Sequence, residues 1–286
     1  MFTVVGGLLA AVCWSAAGLA SSVAGRRVGP MLALAWVNLA ALVIVLPAAL
    51  VFDGIPHDVP RAEVAWVAIY GFAIVGALAA AFKSMTLGPV GLVSPVISTE
   101  GAFATLFGLA LGETVGGITG IALGVIVIGI VLSAIDTDPL GGGMLAATAV
   151  NRKALSIGLA SAVLFAITLV AASRTDTLGV LWTIAIGRIV GVLLISIPVL
   201  VRERFRRPGG AWGMLGINCA GDLAGFSLFI LATEDGVAVP AVLASQYATL
   251  TAVFGYFFFH ERLKPWQWAG VALTIAGTAV VGATTG

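Results

Sequence analysis

The sequence predicts an all-α polytopic membrane protein, ten transmembrane helices arranged as two inverted five-helix repeats. Three observations predict it. Charged residues fill 9% of the 286 positions, where a soluble globular domain carries about 25%. Hydrophobic residues fill 60% and mean hydropathy is +1.13, in apolar stretches that recur along the whole chain. Landmarks in the first half also return in the second. The same composition excludes disorder, and a net charge of +1 gives no reason to expect a nucleic-acid partner. The 37 glycines suit membrane helices, where small residues let backbones approach. Cys13 and Cys219 are too few and too far apart for a disulfide framework or a thiolate metal site. No metal or cofactor is implied.

A hydrocarbon core about 30 Å thick takes about 20 apolar residues per helix. Charge-free stretches meet this at 1–25, 28–52, 64–82, 114–135, 154–173, 236–260 and 265–286, each expected to form one helix. Three more reach spanning length by accepting one internal charge: 90–111 around Glu100, 178–201 around Arg188, and 211–232 around Asp222. The first helix has no basic leader region and is expected as a mature helix, not a signal peptide. Lys and Arg favour the cytoplasmic side of a membrane. Eleven of those in or bordering the connections, from Arg26 to Lys264, lie on one side, against Arg61 and Arg174 on the other. That bias places both termini outside the cytoplasm.

The segment 136–153, with Pro139 and glycines 141–143, divides the chain into a first repeat at 1–135 and a second at 154–286. A shift of 148 places Glu113 on Glu261, Gly88 on Gly236 and Gly129 on Gly277. Shifts of 146 to 151 bring Trp36 near Trp182, Trp66 near Trp212 and Pro47 near Pro198. Two units with an odd number of helices in one chain insert with opposite orientations, the organisation of many secondary transporters.

Each half closes a helix on a Gly-Glu or His-Glu pair, Gly112-Glu113 and His260-Glu261, and follows it with a glycine-bearing helix. Trp14-Ser15 lies in helix one and Arg188 in the middle of helix seven. In this order the motifs resemble EamA-type transporters of the drug/metabolite transporter superfamily, over nearly the whole chain. The resemblance implies a ten-helix carrier exporting metabolites or toxic compounds, with both termini inside, against the charge bias. One departure is that Glu100 and Ala248 stand where the family often has proline.

A charge at mid-bilayer costs about 2.5–3.5 kcal/mol on insertion scales, so Glu100, Arg188 and Asp222, all near the midpoints of their helices, ask for a reason. Trp14, Ser15, Asn38, Asn218, Gln246 and Tyr247 fall near the same level, outlining a polar chamber. Glu100, Arg188, Asp222, Asn38, Gln246, Tyr247, Trp14 and Ser15 are therefore the expected substrate-binding or coupling residues. Structural readings stand beside this one. Arg188 and Asp222 can pair with each other, Asn38 and Gln246 can bridge helices, and Trp14 and Tyr247 can simply pack. Glu100 aligns with the uncharged Ala248, and this asymmetry favours function; a carboxyl at that depth can exchange a proton whenever the site opens to water. Pro95 and Pro240 precede the site in helices four and nine and can bend them. Glu113, Glu261 and the basic cluster 202–207 sit at membrane edges, where capping and topology roles suffice.

The expected function is secondary transport, with export favoured, of a small polar or amphipathic metabolite such as an amino acid. Arg188 would receive a carboxylate and Glu100 or Asp222 an amine. Expected partners are the substrate, the bilayer of the cell membrane and protons, in a monomer or homodimer. A nucleotide-binding loop of Walker type is absent from the sequence, so ATP is not the expected energy source. A multidrug efflux carrier is the alternative. A channel is less favoured, for want of a filter segment. So is an intramembrane enzyme, because His57 and His260 both lie at helix ends.

Overall fold

The computed structural model describes residues 2–87, 96–134, 148–259 and 265–285, and these are helical with no strand. The first half supplies α1 (Phe2–Val28), α2 (Pro30–Ala48), α3 (Arg61–Leu87), α4 (Glu100–Ala110) and α5 (Gly117–Ala134). The second supplies α6 (Thr148–Ala172), α7 (Val180–Gly191), α8 (Ile197–Arg202), α9 (Trp212–Ala232), α10 (Ala238–Ala244), α11 (Tyr247–Phe259) and α12 (Pro265–Thr285). Between α1 and α2, Gly29 adopts φ +94° and Pro30 opens the next helix, at a position where a missing N–H leaves no bond unmade. A π-helical turn extends α2 through Ala49–Asp53 after Pro47, and another, Val192–Ser196, joins α7 to α8 just before Pro198. Pro198 leaves the Leu194 carbonyl without its N–H, and that carbonyl lies inside the second widened turn.

Among the described residues, seven helices, counting α7 and α8 as one, are long and apolar enough to cross a bilayer, and Glu100–Ala110 and Gly117–Leu132 are shorter apolar helices. The segment 236–260, expected as one helix, is two: α10 and α11 meet at a turn of Ser245 and Gln246. The cause is local. The Ser245 hydroxyl donates to the Val242 carbonyl at 2.9 Å, the acceptor that Gln246 N–H would use in a continuous helix. Gln246 N–H turns instead to Leu243 at 3.3 Å. The same device opens α4, where the Thr99 hydroxyl donates to the Val96 carbonyl at 2.7 Å. Pro95, Gly88, His260 and Glu261, and most of the 136–153 segment, lie outside the described residues.

Close packing pairs α1 with α9, α3 with α6, α2 with α7, α4 with α10 and α5 with α12. Exchanging the two halves maps this pattern onto itself, since α1 against α9 becomes α6 against α3. Small residues allow the approach. A Cβ on Gly129 would sit 2.8 Å from the Gly270 carbonyl oxygen, and one on Gly277 would sit 2.6 Å from Ile126 Cγ1. The neighbours run antiparallel, with Gly6 beside Ala232 and Gly221 beside Cys13. Apolar side chains face outward, Ile121 at 73% and Ile275 at 65% exposure, as a surface solvated by hydrocarbon requires.

Candidate functional site

A cavity of about 210 Å³ lies between the two halves, bordered by Trp14 of α1, Glu100 of α4, Arg188 of α7, Asp222 and Phe226 of α9, and Tyr247 of α11. Five of the eight residues singled out in the sequence thus share one chamber. The other three do not border it. Asn38 stands behind Arg188 and accepts a hydrogen bond from its Nη1 at 3.1 Å. Ser15 shares a hydrogen bond with Thr251 at 3.0 Å, and Gln246 Nε2 donates to Thr278 at 2.8 Å.

Arg188 is buried and its Nη2 forms an ion pair with Asp222. Its guanidinium carbon lies 5.7 Å from the centroid of the Phe226 ring, a cation–π distance. Asp222, Asn38 and Phe226 therefore neutralise, orient and cover the arginine, while Nε stays buried without a partner. Close approach of α2 to α7 depends on Gly191, whose added Cβ would lie 2.7 Å from Asn38 Nδ2.

Glu100 is different. It is 5% exposed, and among the described residues its carboxylate has neither an ion-pair nor a hydrogen-bond partner. It begins α4 directly after the Thr99 turn, as Gln246 follows the Ser245 turn. Local hydrogen bonding continues this pairing at a shift of 146: Thr105 Oγ1 donates to Gly101 and Thr251 Oγ1 to Tyr247. The structural counterpart of Glu100 is thus Gln246 and not Ala248.

Aromatic rings complete the wall. Trp14 meets Phe226 edge-on at 5.0 Å and Tyr247 at 6.4 Å between centroids. The sequence reading missed Phe226, Phe165 and Thr168 as lining residues. Phe226 carried a signal, one helical turn beyond Asp222; Phe165 and Thr168 sit in the charge-free stretch 154–173, which offered none.

At one end of the bundle, Glu113 spans the two halves. Both its oxygens accept the Val237 N–H at 3.0 Å, one accepts Ala238 N–H at 3.2 Å, and Arg174 lies 3.4 Å away. Gly236, at φ +121°, turns the chain into this cap with a backbone that only glycine adopts freely. Capping was the role expected of Glu113, and here it ties the first half to the start of α10.

Residues 1–135 and 152–283 match the model of the EamA-like transporter family. The chain belongs to that family. It is a multi-pass membrane protein of the EamA two-repeat architecture, and the cavity lies where residues of both matched segments meet. A solved structure titled "Crystal structure of protein" is similar in fold, with a TM-score of 0.78 at 18% identity over 97% of this chain and 95% of that one. No curated protein matches the chain.

Proposed function

We propose that this EamA-like protein is a secondary carrier that moves a small polar or amphipathic metabolite across the cell membrane by alternating access. Ten spans are proposed, counting α4, and α10 with α11, as interrupted helices, in two units of opposite orientation at 1–135 and 154–286 joined by 136–153. One observation carries the reading. The central cavity lies where both halves contribute, beside breaks in two helices, and holds a carboxylate without a counter-ion among the described residues. Interrupted helices at mid-membrane are where carriers place substrate and coupling-ion sites. The cavity suits a compact metabolite and excludes a large lipid.

Export, with Glu100 as the proton carrier, is the direction and coupling proposed, in a monomer or homodimer. Liposomes containing the purified protein test this. Saturable uptake with counterflow identifies a carrier, and Glu100→Gln should abolish gradient-driven accumulation while leaving exchange partly intact. Ohmic current, or transport in Glu100→Gln with unchanged pH dependence, would overturn the carrier or the coupling respectively. Efflux of diverse toxic compounds is the second reading, favoured by the aromatic lining around Trp14 and Phe226.

A further inference from the structure

Resting on that carrier reading, the geometry points to a narrower substrate class: a small monovalent organic cation, an amine or quaternary ammonium on an apolar body, with Glu100 as its counter-ion. Charge decides it. Three acidic or basic side chains border the cavity: Glu100, Arg188 and Asp222. Arg188 and Asp222 cancel within their own ion pair, and Arg188 is further engaged by Asn38 and Phe226. The arginine's charge is therefore already met by Asp222 before any substrate carboxylate arrives, against the amino-acid chemistry expected from the inventory of residues alone. Its unpartnered Nε does not change this, because that atom is shut off from the cavity surface.

Glu100 remains, the one charge in the chamber without a partner among the described residues. With its carboxylate ionised the chamber has a net charge of −1. A monovalent cation brings it to zero, and the uncompensated buried charge that an empty site carries is relieved on binding. A zwitterion leaves the sum at −1 and adds a carboxylate with no cation to meet it, and an anion makes it −2. The walls fit the same ligand. Phe226 is already covered by Arg188, but Trp14 and Tyr247 meet edge-on at 6.4 Å, and both border the same cavity as Glu100. Aromatic faces beside a carboxylate are a receptor for ammonium groups. None of this needs the arginine.

Four ligands that share a phenethyl body test the inference on the full-length protein in detergent: phenethylamine, phenylalanine, 3-phenylpropanoate and uncharged 2-phenylethanol. Binding is read by calorimetry at pH 8. Phenethylamine is expected to bind at least tenfold tighter than phenylalanine, with phenylpropanoate weakest. Glu100→Gln should remove that preference and leave 2-phenylethanol unchanged, whereas Glu100→Asp, which keeps the charge, should retain part of it. The Asp variant also guards against a Gln variant that fails to fold. A preference for phenylalanine or phenylpropanoate, or a phenethylamine preference that survives Glu100→Gln, overturns the inference. The carrier reading is judged separately: counterflow of phenylalanine with phenethylamine inert sinks the cation and keeps the carrier, while channel-like current sinks the carrier whatever binds.

Discussion

Asp222→Ala is the most informative single perturbation of the helix bundle. It removes the only carboxylate paired with Arg188 among the described residues and leaves the guanidinium buried, with the Asn38 oxygen as its remaining acceptor. Breaking a buried pair by removing one partner costs about 3–5 kcal/mol. The Asp222 side chain is 22% exposed and that of Arg188 6%, and the Asn38 bond survives, so the lower end, about 3 kcal/mol, is expected. For a chain of this size about 2–4 °C of melting temperature accompanies each kcal/mol, giving a fall of roughly 6–12 °C. Arg188→Met/Asp222→Leu, which removes both charges and fills their space, should recover most of that loss. The double-mutant cycle then isolates the pair. Melting is followed by intrinsic fluorescence in detergent, where the seven tryptophans report the transition. An Asp222→Ala protein melting within about 2 °C of the parent, or a double variant no better than the single, would refute the assignment of this pair as the structural neutraliser of Arg188.

Other outcomes follow from the cap and the helix contacts. Glu113→Ala strips the Val237 and Ala238 N–H groups of their acceptor and should cost about 1–2 kcal/mol, visible as faster amide exchange at the start of α10. Gly277→Val drives a side chain into Ile126, 2.6 Å from the added Cβ, for about 1–3 kcal/mol. Gly124→Val, where a Cβ meets nothing within 4 Å, should leave melting unchanged and serves as its control.

Much of this was legible in the sequence because the bilayer imposes a simple rule. Apolar runs must be about 20 residues long, so most spans, such as 211–232 and 265–286, fell close to their observed bounds. The three charges that border the cavity stood out for the same reason: Glu100, Arg188 and Asp222 interrupt runs that hydrocarbon would otherwise leave uninterrupted. The break between α10 and α11 was not legible. Ser245 is one polar residue in an apolar run, and its effect depends on whether its hydroxyl points to solvent or back to the Val242 carbonyl. Depth also does not fix direction around a helix. Ser15, Asn38 and Gln246 lie near the level of the cavity, yet face Thr251, Arg188 and Thr278. Which side chains converge is a property of helix rotation, and only the packed pairs reveal it.

The repeat itself explains why the charged groups are single. Asn38 and Arg188 are 150 residues apart and touch across the junction of α2 and α7, and 150 falls within the range of shifts that relates the two halves. Glu100 and Gln246 follow equivalent turns at a shift of 146. In both pairs one member is charged and the other is an amide of similar polarity. At the junction of α2 and α7 a second charge would face the first, because Asn38 and Arg188 are in direct contact. Two guanidinium groups at about 4 Å repel by about 4 kcal/mol at an effective dielectric of 20, and Asp222 supplies one negative charge against their two positive ones. Asn38→Arg is therefore expected to destabilise the protein by several kcal/mol, and pairing it with Arg188→Asn, which moves the charge to the other half, should recover only part. Asp222 belongs to α9, and its counterpart at a shift of 148 is Ile74, so the relocated arginine gains no equivalent carboxylate. Full recovery of melting temperature in that double variant would show that the site tolerates its charge from either half, and that Asp222 does not fix the arginine's place.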